Sequence, residues 1–361
     1  MTVVVAGAGM AGLVTAVRLR ELGGEPVVRE KGTRIGGSML LSSCVVWRHR
    51  EWADFRRECP AGDQRLQRLI WERLDDAVAW LVSLGAPVVR QETGNPLTIA
   101  TRFDPRGLTE TLARSAGEIQ LANGLLDDEP IVLCTGGFGA SSELVERYIA
   151  PAASMRLRAN PWSAGDGLQH ALGRNAALTA GLDQFYGRNM PDAAWDETQL
   201  VSRSQLYARH ARIFDADGVE FFQAGDVSWS ETNVVQATAK RPKAHAYYLL
   251  SAEALEARVL DRTVGEMVES SPAEARVSLE NLPFAPPQGT VAAVRVVASI
   301  THTIGGLAVD ERARVLSANG SRLDGLWAAG VDAGGVATGG YASGLAQALV
   351  LGLAAAEDAA A

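Results

Sequence analysis

The chain has 361 residues, of which 47% are hydrophobic, and this is enough apolar material for one large core or two ordinary ones. A disordered tail and a mini-protein are therefore excluded. The 42 acidic residues outnumber the 34 arginines and lysines, so the formal charge is −8 and the chain has no basic field for a nucleic acid or an anionic membrane.

Three cysteines, Cys44, Cys59 and Cys134, are spread along the chain without a Cys-x-x-Cys pair. This number and spacing favour neither a disulfide framework nor a metal site, and they suit a reducing compartment. We see no basic segment followed by an apolar run and a cleavage site, and no apolar stretch of the ~20 residues that a membrane helix needs. We therefore expect a cytoplasmic protein that does not associate with a membrane.

The N-terminal sequence predicts a strand, a glycine turn and a helix. Thr2–Ala6 is a β-branched apolar run, and the Gly7-Ala8-Gly9-Met10-Ala11-Gly12 segment after it leads into a helical pattern that reaches Leu22. In this pattern the first glycine permits the tight turn, the second lets a pyrophosphate approach the backbone, and the third lets the helix pack on the strand. Free N–H groups at the helix N-terminus would hold the phosphates.

A second predicted strand, Pro26–Arg29, ends at Glu30, at the distance where a carboxylate accepts hydrogen bonds from an adenosine ribose. Because strand, turn, helix and acid coincide, the sequence predicts a dinucleotide-binding site. Another glycine segment, Gly36-Gly37-Ser38, follows the acid. NAD-binding domains have no need of such a segment, so it favours FAD.

Several segments together resemble the fumarate reductase/succinate dehydrogenase flavoprotein superfamily, which has 3-ketosteroid dehydrogenases and tricarballylate dehydrogenases among its relatives. They are Gly7–Gly12 with Glu30, Gly36–Ser38, Cys134–Phe138 and Gly325–Gly330. The matching segments are distributed over most of the chain. The resemblance implies an α/β fold, with a discontinuous Rossmann-like FAD-binding domain and an inserted α+β capping domain.

The resemblance also implies domain boundaries. Residues 1–139 and 290–361 would form the FAD-binding domain, and residues 140–289 the capping domain that selects the substrate. Ile131–Cys134 is predicted to be a buried strand, and the run Thr290–Ile300 is expected to return the chain to the FAD-binding domain. The alanine-rich end of the chain, residues 354–361, is expected to be a frayed helix end.

The residues expected to contact FAD occupy the family's motif positions. They are Gly7, Ala8, Gly9, Met10, Ala11, Gly12, Glu30, Lys31, Gly36, Gly37, Ser38, Leu41, Ser42, Thr135, Gly136, Gly137, Gly330, Val331, Asp332, Ser343, Gly344 and Leu345. FAD would be noncovalent, because Ser38–Leu41 contains no histidine where the succinate dehydrogenase branch has its attachment site. The last helix would begin near Ser343, with free N–H groups facing the N1/O2 edge of the flavin.

Four residues are candidates for catalysis. His302 resembles the family histidine that binds polar substrate groups beside the flavin, although a structural loop histidine is the alternative. Arg188 stands where relatives often have a histidine, and it could bind a carboxylate or polarise a carbonyl, or form a packing salt bridge. Tyr186 and Tyr341 are candidate proton acceptors or hydrogen-bonding phenols, or else packing residues.

Two features of fumarate-reducing relatives are absent from the sequence. These relatives have a proton-donor relay of arginines and a glutamate, and Ala224 stands at the position of its acid. They also have an arginine that binds a carboxylate in the last glycine loop, whereas the loop Gly334–Gly340 of this chain contains no arginine. The same loop lacks the tyrosine of 3-ketosteroid dehydrogenases, with Thr338 as the nearest match. Neither activity therefore transfers directly.

We expect an FAD-dependent oxidoreductase acting on a CH–CH group, namely a dehydrogenase that forms a C=C bond next to a carbonyl or carboxylate by hydride transfer to flavin N5. Its partners would be a carbonyl- or carboxyl-bearing small molecule and an electron acceptor that the sequence does not identify. One alternative is a reductase of an activated C=C bond. Another is a catalytically silent FAD-binding paralogue. It is favoured by the missing relay and by the trimmed segment Ala122–Pro130, which is short where the family usually has a small β-meander.

Overall fold

The computed structural model describes residues 2–91, 94–126, 130–149 and 154–361. The chain divides into two compact units. Unit 1 contains residues 1–141, 160–184 and 302–361, and unit 2 contains residues 142–159 and 185–301. Residues 127–129 of the trimmed segment lie outside the described residues.

The α-helices of the described residues are, in chain order, α1 (Met10–Glu21), α2 (Gly37–Leu40), α3 (Trp52–Glu58), α4 (Gln64–Ser83), α5 (Pro105–Ser115), α6 (Ser142–Ile149), α7 (Asp166–Gly173), α8 (Thr232–Ala239), α9 (Ala252–Glu256), α10 (Val264–Glu269) and α11 (Gly344–Ala359). The strands are β1 (Thr2–Ala6), β2 (Glu25–Glu30), β3 (Val45–His49), β4 (Val88–Arg90), β5 (Thr98–Phe103), β6 (Glu118–Leu121), β7 (Ile131–Leu133), β8 (Arg156–Leu157), β9 (Phe185–Pro191), β10 (Arg212–Phe214), β11 (Glu220–Phe222), β12 (His245–Ser251), β13 (Arg258–Val259), β14 (Arg262–Thr263), β15 (Thr290–Thr303), β16 (Arg314–Leu316) and β17 (Arg322–Ala328).

Unit 1 is built around a six-stranded sheet in the order β16-β17-β7-β1-β2-β6. Neighbouring strands run parallel, except that β16 is antiparallel to β17. The central strands β1 and β7 are apolar and almost entirely buried, as strands covered on both faces must be. This parallel sheet confirms the predicted α/β fold class and the two predicted N-terminal strands.

The last helix, α11, packs against α1 and α4 within unit 1. Its terminal alanines Ala354, Ala355, Ala356 and Ala359 are buried. The expectation of a frayed end was therefore wrong, because small side chains here allow close packing of helix on helix. A three-stranded antiparallel sheet, in the order β3-β5-β4, completes the unit.

Unit 2 contains a second sheet in the order β11-β10-β12-β15-β8, and β9 also pairs with β15. The antiparallel pairing of β15 with β12 extends from His245 opposite Val297 to Ser251 opposite Thr290. Apolar side chains of these strands form the core of the unit together with buried Tyr207 and Tyr248.

Two segments differ from the predicted boundaries. The run Thr290–Ile300 was expected to lie in the FAD-binding part, yet its pairing with β12 places it in unit 2. Residues 160–184 were expected to lie in the capping part and instead belong to unit 1, where Gly165 donates its N–H to Gly137 and Ala177 donates to Leu316. In both segments the long-range pairing of the backbone decided the position.

None of the helices in the described residues combines the length and the apolar character that crossing a bilayer requires.

Candidate flavin and substrate site

The first glycine turn lies between β1 and α1. Gly7 has a φ of +110°, and a Cβ there would overlap the carbonyl oxygen of Cys134, whereas a Cβ at Gly12 would overlap the carbonyl oxygen of Gly7. Glycine at these two positions is therefore required by the fold itself. At Gly9 a Cβ would meet only the Cα of Gly37, at 3.9 Å, so the space beside this N-cap residue of α1 is open to a ligand.

Glu30 ends β2 with a buried carboxylate. Its Oε2 accepts the N–H of Ala8 at 2.8 Å and its Oε1 accepts the N–H of Gly32 at 2.7 Å. Each carboxylate oxygen has a further lone pair, so Glu30 retains the capacity to accept a ribose hydroxyl. The neighbouring Lys31 instead forms an exposed ion pair with Asp166 at 2.8 Å.

The second glycine segment lies directly against the first. Gly36 donates its N–H to the carbonyl of Ala8 at 2.8 Å, and a Cβ at Gly37 would be 3.1 Å from the Cα of Gly9. The hydroxyl of Ser38 accepts the N–H of Asn160 at 3.2 Å. Asn160 was not among the predicted site residues, since only tertiary contact places it here. Ser42 and Leu41 end the short helix that follows, where the Ser42 hydroxyl donates to Met39.

The third glycine turn follows β7 and is held by Asp332. This buried carboxylate accepts the N–H and the hydroxyl of Thr135, and its Oδ1 accepts the N–H of Gly137 at 3.0 Å. Burial raises the pKa of Asp332, and the hydrogen bonds from the turn oppose that rise. Gly330 and Val331 precede the carboxylate, and the Val331 side chain lies 2.6 Å from where a Gly137 Cβ would be.

Replacing Asp332 with Ala is expected to lower the free energy of unfolding by about 3 kcal/mol, because it leaves two backbone N–H groups of the turn without their acceptor. Urea denaturation monitored by circular dichroism measures the change. Asp183→Ala is the matched control, since Asp183 is an exposed aspartate of the same unit. Equal stability of the two variants would show that Asp332 does not hold the turn.

Thr303 contributes a buried polar atom to the same region. Its Oγ1 has no hydrogen-bond partner among the described residues, and it lies 2.6 Å from the position that a Cβ of Gly137 would occupy. A buried hydroxyl without a partner is costly, so this atom indicates a missing polar partner. A bound group with hydroxyls or carbonyls, placed along the glycine turns, would satisfy it.

His302 lies against the start of α11. A Cβ at Gly344 would be 3.1 Å from Cε1 of the imidazole and 3.4 Å from its Nε2. The hydroxyl of Ser343 caps the helix by accepting the N–H of Ala346, so the N–H groups of Gly344 and Leu345 remain for a bound group. The predicted start of the last helix is confirmed. An imidazole and a positive helix end therefore adjoin one another, an arrangement that can stabilise negative charge.

Tyr341 lies in an aromatic group close to the same helix end. Its ring is 5.5 Å from that of Trp47, and His49 contacts both Trp47 and Phe55 at 5.4 Å. Burial lowers the pKa of His49 to about 4, so this imidazole is neutral at physiological pH. Trp47, His49 and Phe55 line a small cavity together with Ser343. The phenol of Tyr341 thus adjoins an apolar, aromatic wall of unit 1.

Tyr186 and Arg188 lie on one face of β9 in unit 2. The guanidinium carbon of Arg188 is 5.1 Å from the centre of the Tyr186 ring, and its Nη1 donates to the carbonyl of Ser230. The next residue, Glu231, is 5% exposed and interacts electrostatically with Arg188. Arg188 is therefore part of a charged group and not an isolated surface cation.

Glu231 is a buried acid that the sequence analysis did not single out. It adopts a left-handed backbone with a φ of +54°, which is rare for a residue with a side chain, and its Oε1 accepts the N–H of Ala208 at 3.0 Å. Burial raises its pKa to about 7, and Arg188 opposes this rise. An acid seven residues after Ala224 in the sequence was visible, but its burial beside Arg188 was not.

The predicted residues are divided between the units. Every predicted FAD residue lies in unit 1, together with His302 and Tyr341, whereas Tyr186 and Arg188 lie in unit 2. The three glycine turns adjoin within unit 1, through the contact of Gly7 with Cys134 and of Gly9 with Gly37.

The sequence family described as FAD binding domain matches residues 2–124 and 122–344. The chain belongs to the FAD binding domain family. The protein is accordingly expected to bind FAD as its cofactor. The glycine turns, the capped end of α11 and the orphaned hydroxyl of Thr303 are a donor set that fits this cofactor.

A probable fumarate reductase of Shewanella frigidimarina (strain NCIMB 400) is 23% identical over 443 residues, which cover 99% of this chain and 74% of the relative. A flavocytochrome c3 fumarate reductase in an open conformation has a TM-score of 0.71 at 20% identity, covering 99% of this chain and 78% of that chain. The 3-ketosteroid Δ1-dehydrogenase of Sterolibacterium denitrificans, solved with 1,4-androstadiene-3,17-dione, has a TM-score of 0.74 at 14% identity and covers 99% of both chains. These likenesses show the fold.

Proposed function

We propose that this protein is a cytoplasmic FAD-dependent dehydrogenase that forms a C=C bond next to a carbonyl or carboxylate group of a small molecule. The proposal rests mainly on one observation, that the imidazole of His302 lies next to the N-terminus of α11. Both belong to the unit that contains the three glycine turns. The names of the similar proteins, fumarate reductase and 3-ketosteroid dehydrogenase, support chemistry at a CH–CH group. The charge of −8 argues against nucleic acid as a partner.

FAD, when bound, would accept a hydride from the substrate. Residues of this chain would hold it noncovalently: the N–H groups around Gly9 the pyrophosphate, Glu30 the adenosine ribose, and Thr303 a polar group near the third turn. The N–H groups of Gly344 and Leu345 would stabilise negative charge at their end of the site. Lys31 would contribute only after release from Asp166.

His302 would donate a hydrogen bond to the carbonyl or carboxylate oxygen of the substrate. Charge develops on this oxygen as the α-proton leaves, and a preorganised donor beside a positive helix end lowers the energy of that charge. Tyr341 would provide a second hydrogen bond or accept the proton, next to the apolar wall formed by Trp47 and Phe55.

Within unit 2, Glu231 would supply a proton-accepting group beside Arg188 and Tyr186. A carboxyl whose pKa is about 7 can take up and release a proton at physiological pH. Arg188 would hold the carboxylate form of Glu231 and orient an acidic substrate group. The same acid in its protonated form favours the alternative function, reduction of an activated C=C bond, because it can donate the proton that Ala224 cannot.

Anaerobic titration of the FAD-loaded protein with ketosteroids, other saturated cyclic ketones and dicarboxylates tests the proposal. Bleaching of the flavin absorbance by a saturated compound is the expected result and identifies its substrate class. Reoxidation of dithionite-reduced protein by an enone or an unsaturated acid would instead support the reductase. A spectrum that no compound changes would favour the catalytically silent paralogue.

His302→Ala is expected to slow flavin reduction by the substrate about 100-fold, the order of magnitude for loss of one oxyanion donor. Rapid-mixing spectroscopy under anaerobic conditions measures this rate. His210→Ala, which removes a half-buried imidazole of unit 2, is the control and should retain the rate. An unchanged rate in His302→Ala would remove this residue from the mechanism.

A further inference from the structure

The loop Gly334–Gly340, which leads towards the start of α11, lies against the turn between α3 and α4. Asp63 donates its N–H to the carbonyl of Gly335 at 2.8 Å. A Cβ at Gly340 would overlap the carbonyl oxygen of Glu58, so the two backbones are in direct contact at this point. All of these residues belong to unit 1, which also contains the predicted FAD residues.

Gln67 of α4 joins the two sides of this contact. Its side chain is fully buried, and its Nε2 donates to the carbonyl of Val336 at 2.8 Å and to the carbonyl of Cys59 at 3.0 Å. A buried amide that gives both of its N–H groups to backbone carbonyls is satisfied only while those carbonyls keep their positions. Gln67 therefore fixes the middle of the loop to the turn.

Arg56 of α3 sets the orientation of that amide. Its Nη1 donates to Oε1 of Gln67 and to the carbonyl of Gly62, the latter at 3.1 Å, and its Nη2 donates to the carbonyl of Pro60 at 2.8 Å. A guanidinium has donors only, so the amide oxygen must face Arg56 and the amide nitrogen must face Val336. The hydrogen bonds of the turn thus determine which way Gln67 donates.

Side-chain packing is incomplete beside the loop. Ile70, which follows Gln67 by about one turn of α4, lines a small cavity together with Val336 and with Ser343 and Ala346 at the start of α11. Groups that face a cavity lack the dispersion contacts that close packing provides. On this side, the start of α11 therefore depends on the hydrogen bonds that fix the loop.

We propose that Gln67, oriented by Arg56, is a positioning residue for the bound flavin. By fixing the loop Gly334–Gly340 it would hold the N–H groups of Gly344 and Leu345 towards the cofactor. These N–H groups form the positive end of α11, and reduction by two electrons adds negative charge to the flavin. Acting through the loop, Gln67 would raise the reduction potential of FAD. The inference rests on the proposed placement of this helix end at the flavin, and it is independent of the identity of the substrate.

Gln67→Met tests the proposal, because methionine has a similar length and neither donates nor accepts the hydrogen bonds of the amide. The reduction potential of the FAD-loaded full-length protein is measured by anaerobic equilibrium reduction beside a reference dye, without substrate. We expect the affinity for reduced FAD, relative to oxidised FAD, to fall about tenfold. This corresponds to a potential lower by about 30 mV for a two-electron couple.

Gln205→Met is the matched control, since it removes a buried glutamine of unit 2 that accepts the hydroxyl of Tyr207. Unit 2 contains none of the predicted FAD residues, so this variant should lose stability and keep the potential. An unchanged potential in Gln67→Met, or an equal fall in Gln205→Met, would overturn the proposal.

Leu345→Asp separates this inference from the proposed function. It places a carboxylate in the first turn of α11, where it should lower the potential directly if the helix end faces the flavin. If Leu345→Asp lowers the potential and Gln67→Met does not, the helix end lies at the flavin and Gln67 does not position it. If neither variant changes the potential, the proposed placement of the helix end is itself wrong.

Arg56→Lys provides the test if Gln67→Met does not fold. Lysine keeps the positive charge but lacks the planar fork that orients the amide of Gln67. We expect the potential to fall in the same direction and by less than in Gln67→Met, while thermal unfolding of the apoprotein checks the fold. A folded Arg56→Lys variant with an unchanged potential would overturn the role of Arg56. In the absence of a folded Gln67→Met protein, it would overturn the whole proposal.

Discussion

Gly9→Ala is expected to weaken FAD binding by about 10- to 100-fold while leaving the fold intact, which corresponds to the ~1–3 kcal/mol cost of overpacking a close contact. A methyl group at this position meets only the Cα of Gly37, at 3.9 Å, so the protein without cofactor accommodates it. The same methyl group would occupy the space in which a pyrophosphate approaches the N-terminus of α1. Fluorescence of released FAD measures affinity, and thermal unfolding of the apoprotein measures the fold.

Gly173→Ala is the control for this experiment, because a Cβ there has no atom within 4 Å and the residue lies in the same unit. Gly12→Ala provides the opposite comparison, since its methyl group would overlap the carbonyl oxygen of Gly7 and should destabilise the apoprotein itself. If Gly9→Ala bound FAD as tightly as the unchanged protein, the first glycine turn would not be the pyrophosphate site.

Glu231→Gln is expected to raise the free energy of unfolding at pH 8 by up to about 3 kcal/mol and to have little effect at pH 4. The pKa of Glu231 is about 7 in the folded state, against an ordinary value of 4.5, because burial disfavours the carboxylate. The folded state therefore binds the proton more tightly than the unfolded state does. Stability from this group is present below pH 4.5 and is lost as the pH rises through about 7.

Urea denaturation at several pH values between 4 and 8 tests this expectation. The free energy of unfolding of the unchanged protein should fall between pH 4 and pH 8 as Glu231 loses its proton. Glu231→Gln should abolish that part of the fall. Glu220→Gln is the matched control, since Glu220 pairs with Arg212 at the surface and its pKa is lowered by that hydrogen bond. If the free energy of unfolding of Glu231→Gln depended on pH as it does in the unchanged protein, the buried carboxyl would not titrate near neutral pH.

Glu231 also shows why part of the candidate site escaped prediction. The family pattern has its acid at the position of Ala224. The acid that the structure places beside Arg188 comes seven residues later, and its burial depends on Tyr207, Tyr248 and the backbone of Ala208. No local pattern encodes that environment, because its members come from β9, β12, the segment before β10 and the segment before α8.

The three glycine turns and Glu30 were predictable, since each depends on residues close together in the chain. A turn that needs a positive φ or the absence of a Cβ selects glycine whatever surrounds it, as Gly7 and Gly36 illustrate. The apolar run of β1 and the capped start of α11 are local in the same sense. The sequence by itself therefore determined the FAD-binding class, the parallel α/β architecture and the positions of the glycine turns.

Tertiary structure alone decided which distant residues support those turns and where some segments belong. Asp332 holds a turn 197 residues away, Asn160 reaches Ser38, and the strand β15 joins unit 2 by pairing with β12. An alternating or apolar run predicts that a strand forms. It does not say which sheet the strand joins, because an edge of either sheet can satisfy its backbone hydrogen bonds. The choice, and with it the environment of Glu231, follows from which faces bury most apolar surface when the whole chain packs.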